Sequence, residues 1–171
     1  MLSAVFVAAT AIAGSMNCPS TPAGVAAGMR ITTTANATCT DVLAEMKARV
    51  AGQATGAWHD PHNKGNYSNM VVSGSTFYAD RAPGTQAKQP VPDKVAITLT
   101  DEKGDQCEIE ACSRSQVFSV LDFGTNYCNL EMLFCGSDEG CKPVLNDFTH
   151  TKETTESFSG SNVELSECLK V

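Results

Sequence analysis

Residues 94–112 read KVAITLTDEKGDQCEIEAC, and this stretch carries the clearest secondary-structure signal in the chain. Apolar and polar side chains alternate in both halves, which is the period expected of strands with one buried face. The central DEKGD contains Gly104, a residue type that favours tight turns. We therefore predict an antiparallel hairpin whose inner face contributes to a hydrophobic core.

A helix is predicted upstream of this hairpin, over TCTDVLAEMKARVAG at residues 38–52. Thr40 is the expected N-terminal cap and Gly52 the expected stop. The apolar side chains recur at helical spacing and predict a single buried stripe. Glu45 and Arg49 are four residues apart, so we expect them to form an ion pair on the exposed face.

Further elements are less sharply defined. Residues 66–82 favour strands, and residues 115–123 (SQVFSVLDF) predict another strand in spite of their adjacent apolar pairs. Residues 126–136 are compatible with either a short helix or a strand, and residues 15–38 are expected to be irregular.

The order of these elements predicts an α+β fold, with one N-terminal helix packed on an antiparallel sheet and stabilised by disulfides. A sheet curved around the helix, as in a cystatin-like or nuclear-transport-factor-like arrangement, is compatible with this order. That resemblance rests on element order alone.

The chain has 171 residues, a length typical of one domain. Residues 1–14 (MLSAVFVAATAIAG) carry no charged side chain and end in a small-x-small pattern, which predicts a secretory signal peptide too short to span a bilayer. Residues 15–171 are then expected to form a single disulfide-rich domain, in which residues 149–166 are a polar, mobile segment.

The eight cysteines predict four disulfides in an exported protein, and no C-x2-C zinc spacing occurs. Cys107 and Cys112 are too far apart on a strand to pair with each other. Cys128 and Cys135 are too far apart if they lie on a helix. Cys135 and Cys141 flank a turn that could join them. The cysteines are Cys18, Cys39, Cys107, Cys112, Cys128, Cys135, Cys141 and Cys168.

The net charge of −7 argues against nucleic-acid binding, because an acidic surface repels phosphate backbones. The charge is uneven: residues 101–171 hold fourteen acidic and five basic side chains. Asn36 and Asn66 each begin an Asn-x-Ser/Thr triplet and are candidate glycosylation sites in a secreted protein.

Residues 56–67 read GAWHDPHNKGNY and contain the densest set of candidate functional side chains. The two histidines are three positions apart with the aspartate between them, and together they could bind a ligand or a divalent metal ion. Asp-Pro and Asn-Lys-Gly are also ordinary turn formers, so a purely structural turn is the competing interpretation. The candidate ligand-binding residues are Trp58, His59, Asp60, His62 and Asn63, and the candidate metal ligands are His59, His62 and His150.

A catalytic interpretation would make His59 or His62 a general base, oriented by Asp60 or by Asp122. Asp122 could also act as an acid, because apolar neighbours raise the pKa of a carboxyl group. No complete catalytic motif and no phosphate-binding glycine loop is present.

These observations favour a secreted, disulfide-rich binding domain without catalytic activity, whose partner would be an extracellular protein, a glycan or a small ligand. The first alternative is a small secreted hydrolase, either metal-dependent or His-based, centred on the HDPH turn. The second is a structural protein of the matrix or cell wall. No cofactor is expected, apart from the divalent metal ion that the first alternative would require.

Overall fold

The structure is a computed structural model, and it describes residues 18–84, 92–121, 123–151, 153–160 and 164–170. The predicted signal peptide, residues 1–14, lies outside the described residues, and so does Asp122.

Six antiparallel strands form one sheet in the described part of the chain. They are β1 (Gly28–Ala35), β2 (Asn66–Ser73), β3 (Thr76–Ala82), β4 (Asp93–Glu102), β5 (Gln106–Arg114) and β6 (Thr154–Ser157). Their order in the sheet is β2-β3-β4-β5-β1-β6. The predicted hairpin is confirmed: its two arms, β4 and β5, pair from Lys94 opposite Arg114 to Glu102 opposite Gln106.

The described helices are α1 (Cys39–Thr55), α2 (Thr125–Phe134) and the short α3 (Leu165–Cys168). The first two pack against the sheet and against each other. The predicted α+β fold, a helix on an antiparallel sheet with disulfides, is therefore confirmed. Residues 126–136, which the sequence left open, lie mostly in α2.

The hydrophobic core lies between one face of the sheet and the two longer helices. Ile31, Ile97 and Ile109 project from three neighbouring strands and are fully buried, as are Met46 of α1 and Leu130 of α2. Burying a side chain of this size contributes about 1.5–3 kcal/mol. The core therefore fixes the orientation of both helices on the sheet.

The ends of α1 differ from the prediction. The cap is Thr38 rather than Thr40, because the Thr38 hydroxyl accepts a hydrogen bond from a first-turn N–H group. The helix runs past Gly52 to Thr55, and its C-cap is Gly56, whose φ of 75° is left-handed. Gly52 has a packing role instead: a Cβ at that position would lie 3.0 Å from Cβ of Trp58.

The predicted surface pair of Glu45 and Arg49 is in fact buried, with both side chains at most 1% exposed. The Glu45 carboxylate lies 2.7 Å from Arg49 Nε and also accepts hydrogen bonds from the backbone N–H groups of residues 144–146. Arg49 in turn donates to the carbonyl oxygens of Met132 and Cys135. Spacing along the helix indicated the pair correctly but not its burial, which depends on segments far along the chain.

Two other predictions are wrong in part. Residues 15–38 are not irregular throughout, since they contain β1, in which three threonines obscure the apolar alternation. Residues 115–123 are not a strand: the described part of this segment is a loop with no strand pairing. Its apolar side chains point to solvent, so it lacks the buried face that stabilises a strand.

All eight cysteines are paired, as Cys18–Cys112, Cys39–Cys107, Cys128–Cys168 and Cys135–Cys141. The two predicted exclusions are confirmed, and the pair that the sequence allowed forms. Four disulfides indicate an oxidising environment, as is typical outside the cell. Within the described residues, no helix has the length and apolar character needed to cross a membrane.

The C-terminal part of the chain returns to the sheet and to α2. Residues 154–157 form β6 and pair with β1, and Cys168 is bonded to α2. This strand falls inside residues 149–166, whose mobility stays a prediction. Asn36 and Asn66 are both exposed, and their glycosylation stays a prediction.

Candidate functional site

The turn between α1 and β2 is held by a buried ion pair. Asp60 Oδ2 lies 2.8 Å from Arg81 Nη2 and 3.1 Å from Arg81 Nε, and both side chains are fully buried. Asp60 Oδ1 accepts the backbone N–H of His62 at 2.8 Å, and Arg81 donates to the His62 carbonyl. Burial raises the pKa of Asp60, and the positive charge of Arg81 opposes this effect. Asp60 is therefore committed to the turn.

His62 belongs to the same turn. Its Nε2 lies 2.9 Å from Asn63 Nδ2, so the neutral ring accepts a hydrogen bond from that amide. Burial, reinforced by the charge of Arg81, lowers the pKa of His62 to about 4. Asn63 has a φ of 53°, and its carbonyl accepts the N–H of Gly84. These contacts tie the turn to the end of β3.

Trp58 and His59 lie on a different side of the turn, at a cleft of about 250 Å³. Trp58 is 5% exposed, and its ring packs on Tyr67 with the ring centroids 6.2 Å apart. His59 is exposed, and its ring makes no side-chain hydrogen bond within the described part of the chain. The cleft is lined by Gly56, Ala57, Trp58, His59, Pro61, Met132, Gly140, Cys141, Lys142 and Leu169.

His150 contacts a carboxylate and two aromatic rings outside the HDPH turn. Its Nδ1 lies 2.9 Å from Glu139 Oε2, and its ring meets the rings of Phe134 and Phe148 edge-on at 5.5 Å. Across the described segments, no three His, Cys, Asp or Glu side chains are placed to hold a metal ion. The three histidines therefore form no metal centre in this structure.

The far wall of the cleft consists of residues that no sequence pattern indicated. Met132 lies near the end of α2, Lys142 follows the Cys135–Cys141 loop, and Leu169 belongs to the C-terminal segment. The turn between Cys135 and Cys141 was the one sequence feature that marked part of this wall, since Gly140 lies in the turn and Lys142 directly follows it. Nothing in the sequence placed that loop opposite Trp58.

A second group of titratable side chains surrounds Glu131 on α2. Glu131 is 1% exposed, and its Oε1 has no hydrogen-bond partner among the described residues. Burial, with a hydrogen bond to Glu153 and the charges of Glu153 and Glu139, raises the pKa of Glu131 well above its usual range. Burial alone would also raise the pKa of Glu139, but hydrogen bonds from His150 and from the Gly136 N–H lower it.

The fold and the cleft define a small disulfide-stabilised α+β protein with a surface site of mixed apolar and basic character. Comparisons with family models, with curated proteins and with solved structures found no match to this chain. Functional inference therefore depends on the chemistry of the molecule itself.

Proposed function

We propose that this chain is a secreted, non-catalytic binding domain that holds a small ligand in the cleft beside the HDPH turn. The observation that carries the proposal is the lining of this cleft, in which the chain's one tryptophan meets two other large apolar side chains and two basic ones. Concave sites of this kind, mostly apolar with a few polar groups, are where proteins usually bind small molecules.

The lining indicates an amphiphilic, anionic ligand. Leu169 supplies most of the apolar surface, and the buried Trp58 and Met132 form the apolar floor against which a hydrocarbon or aromatic group would pack. Lys142 and His59 bring nitrogen donors to the same cleft, and a lysine ammonium pairs well with a carboxylate. A small organic acid would match both the apolar and the nitrogen-bearing side chains of the cleft.

Export is supported by two independent features. The four disulfides need an oxidising compartment, and the uncharged apolar residues 1–14 have the character of a secretory leader. Mass spectrometry of the protein from its native source tests this: a first residue near position 14 is expected, whereas an intact N-terminus would contradict export through this leader.

A binding role is preferred to catalysis because two polar groups of the HDPH turn already serve the turn itself. Asp60 is paired with Arg81, and His62 is hydrogen bonded to Asn63. His59 has no carboxylate or hydroxyl partner within the described residues that would orient it as a general base. Among the described residues, no group is therefore placed to make His59 a general base.

Trp58 provides the assay, because its fluorescence reports directly on the cleft. Hexanoate and phenylpropionate are titrated into the full chain, with hexanol as the uncharged control. We expect a saturable change in Trp58 emission with the acids and a weaker response with the alcohol. Lys142→Ala should weaken acid binding, whereas Lys103→Ala, an exposed lysine of the β4–β5 turn, should leave it unchanged. The absence of a saturable change at millimolar acid would refute the proposal.

A further inference from the structure

A separate cavity lies on the outer face of the sheet, the face turned away from the helices. Its volume is about 350 Å³, at the lower end of the range of about 300–1,000 Å³ that is typical of small-molecule sites. Alternation along β3 places Tyr78 and Asp80 on this face, because Phe77 and Ala79 are buried in the core. We call this cavity the outer groove. It is lined by Cys18, Pro19, Asn69, Tyr78, Ala79, Asp80, Lys94 and Val95.

A β-bulge in β2 shapes one wall of the outer groove. The strand register shifts between Ser68 and Val71, so two residues of β2 stand opposite one residue of β3. Asn69, in the bulge, has a φ of 51°, a left-handed conformation that asparagine tolerates. In a regular strand Asn69 would oppose Ala79 and face the core. The bulge instead directs its side chain outward, where Asn69 Nδ2 donates to Asp80 Oδ2 at 2.8 Å.

The opposite wall is held covalently. Cys18 is bonded to Cys112 of β5, and Arg30 Nε lies 3.2 Å from the Cys18 sulfur. Because β3 and β4 lie between β2 and β5 in the sheet, this wall stands across the groove from the bulge. Pro19 follows Cys18, and its ring fixes its own φ. Both walls are therefore set before a ligand arrives, which reduces the entropy lost on binding.

The polar groups of the outer groove carry both charges and are largely unused. Within the described part of the chain, Asp80 makes no side-chain hydrogen bond apart from the one with Asn69, and the Lys94 ammonium forms no ion pair. Asp80 and Lys94 are cross-strand partners, so both charges face the same ligand. An anion would be repelled by the carboxylate and a cation by the ammonium. A neutral ligand that both donates and accepts hydrogen bonds therefore fits best.

Tyr78 supplies an open aromatic surface in the same groove. Its side chain is 44% exposed, and no aromatic ring or cation among the described residues packs on it. Its cross-strand neighbours, Val71 and Ala96, are both smaller than its ring. The C–H face of a sugar ring packs on such an aromatic surface, while each sugar hydroxyl both donates and accepts hydrogen bonds. A sugar therefore matches the ring as well as the polar groups.

We propose that the outer groove binds a neutral carbohydrate. A sugar ring stacks on Tyr78, and its hydroxyls donate to the Asp80 carboxylate and accept from the Lys94 ammonium. Asn69 holds the carboxylate in place and adds its own carbonyl oxygen as an acceptor. The outer groove shares no lining residue with the cleft beside the HDPH turn, so this proposal is independent of the ligand proposed for that cleft.

The test is saturation-transfer NMR of the full chain with neutral disaccharides as probes, namely cellobiose, maltose, lactose, mannobiose and N,N′-diacetylchitobiose. Glucuronate, glucosamine and glycine are the anionic, cationic and zwitterionic controls. We expect saturable, millimolar binding of a disaccharide and weaker binding of every charged control. The proposal is overturned if none of the disaccharides binds, or if a charged control binds more tightly than all of them.

Variants then locate the sugar. Tyr78→Ala should weaken its binding about tenfold or more, whereas Tyr78→Phe keeps the stacking surface and should bind nearly as the wild type does. Asn69→Gly should weaken binding about two- to tenfold, and glycine accepts the positive φ, so this variant carries the test if Tyr78→Ala does not fold. Phe118→Ala, which removes a 71% exposed aromatic ring elsewhere, is the matched control.

Circular dichroism verifies that each variant is folded. Sugar binding that is unchanged in the folded groove variants overturns the proposal. An equal loss of binding in Phe118→Ala overturns it too, because it would show unspecific adsorption to exposed rings. Lys142→Ala should leave sugar binding unchanged, and a loss there would place the sugar in the other cleft and contradict the assignment to the outer groove.

Discussion

Replacing Asp60 with Asn tests whether the HDPH turn is built around its buried ion pair. The substitution keeps the size of the side chain and removes its charge. Asp60 now accepts two hydrogen bonds from Arg81 and one from the His62 backbone. In Asp60→Asn, the Arg81 guanidinium would remain fully buried without the carboxylate that it contacts.

Breaking a buried pair by removing one partner typically costs about 3–5 kcal/mol. A domain of this size has a total stability of about 5–15 kcal/mol, so the loss is a large fraction of it. Each kcal/mol lowers Tm by about 2–4 °C in a chain of this length, which gives an expected decrease of about 6–20 °C. The cost falls on the unpaired arginine, so Asp60→Asn/Arg81→Met should recover part of the loss.

The assay is urea unfolding of the oxidised protein, followed by the fluorescence of Trp58, which lies two residues from the substitution. His59→Ala is the matched control from the same turn. Because the His59 side chain is exposed, we expect a change within about 0.5 kcal/mol. An Asp60→Asn variant within about 1 kcal/mol of the wild type would refute the argument that this charge pair holds the turn.

Three further predictions concern other buried groups. In an NMR titration, the His62 ring should take up its proton near pH 4, because burial and the charge of Arg81 both oppose the imidazolium form. A midpoint close to the ordinary value of about 6.5 would contradict this. Glu131→Gln should gain stability relative to the wild type as pH rises above about 4.5, the ordinary pKa of a glutamate. The raised pKa of Glu131 gives the wild type stability that is present at acid pH and lost as the carboxyl ionises. If urea unfolding shows the same stability difference between the variant and the wild type at every pH, the raised pKa is contradicted. Gly65→Ala should destabilise by about 1–3 kcal/mol, since the new Cβ would lie 2.2 Å from Arg81 Nη2. Gly24→Ala, with open space around it, should unfold at the same urea concentration as the wild type.

Local patterns predicted those parts of the fold that depend on neighbouring residues. The hairpin of β4 and β5 could be predicted because its alternation and its turn lie within a single stretch of about twenty residues. The burial of Glu45 could not, since the N–H groups that bind its carboxylate lie about a hundred residues further along the chain. Residues 115–123 were misassigned for a related reason. Apolar content predicts a strand only when a sheet face is available to bury it.

The candidate site shows the same division between local and distant information. The sequence pointed to Trp58 and His59, which line the cleft, but it grouped them with Asp60 and His62, which stabilise the turn. Spacing along the chain could not separate these roles, because a single turn directs successive side chains to opposite sides. Lys142 lies about eighty residues from the turn, and its place at the cleft depends on the tertiary fold.

The position of β1 in the sheet has a consequence for biosynthesis. This strand is made early, yet its two neighbours are β5 and β6, so it has no sheet partner until much of the chain has followed. Cys18 and Cys39 must likewise wait for Cys112 and Cys107, which lie 94 and 68 residues further on. Any disulfide that either cysteine forms with an earlier-emerging thiol is non-native and must be exchanged later. Correct assembly therefore requires either that these two thiols stay reduced until Cys107 and Cys112 have been made, or that an early Cys18–Cys39 bond is exchanged afterwards.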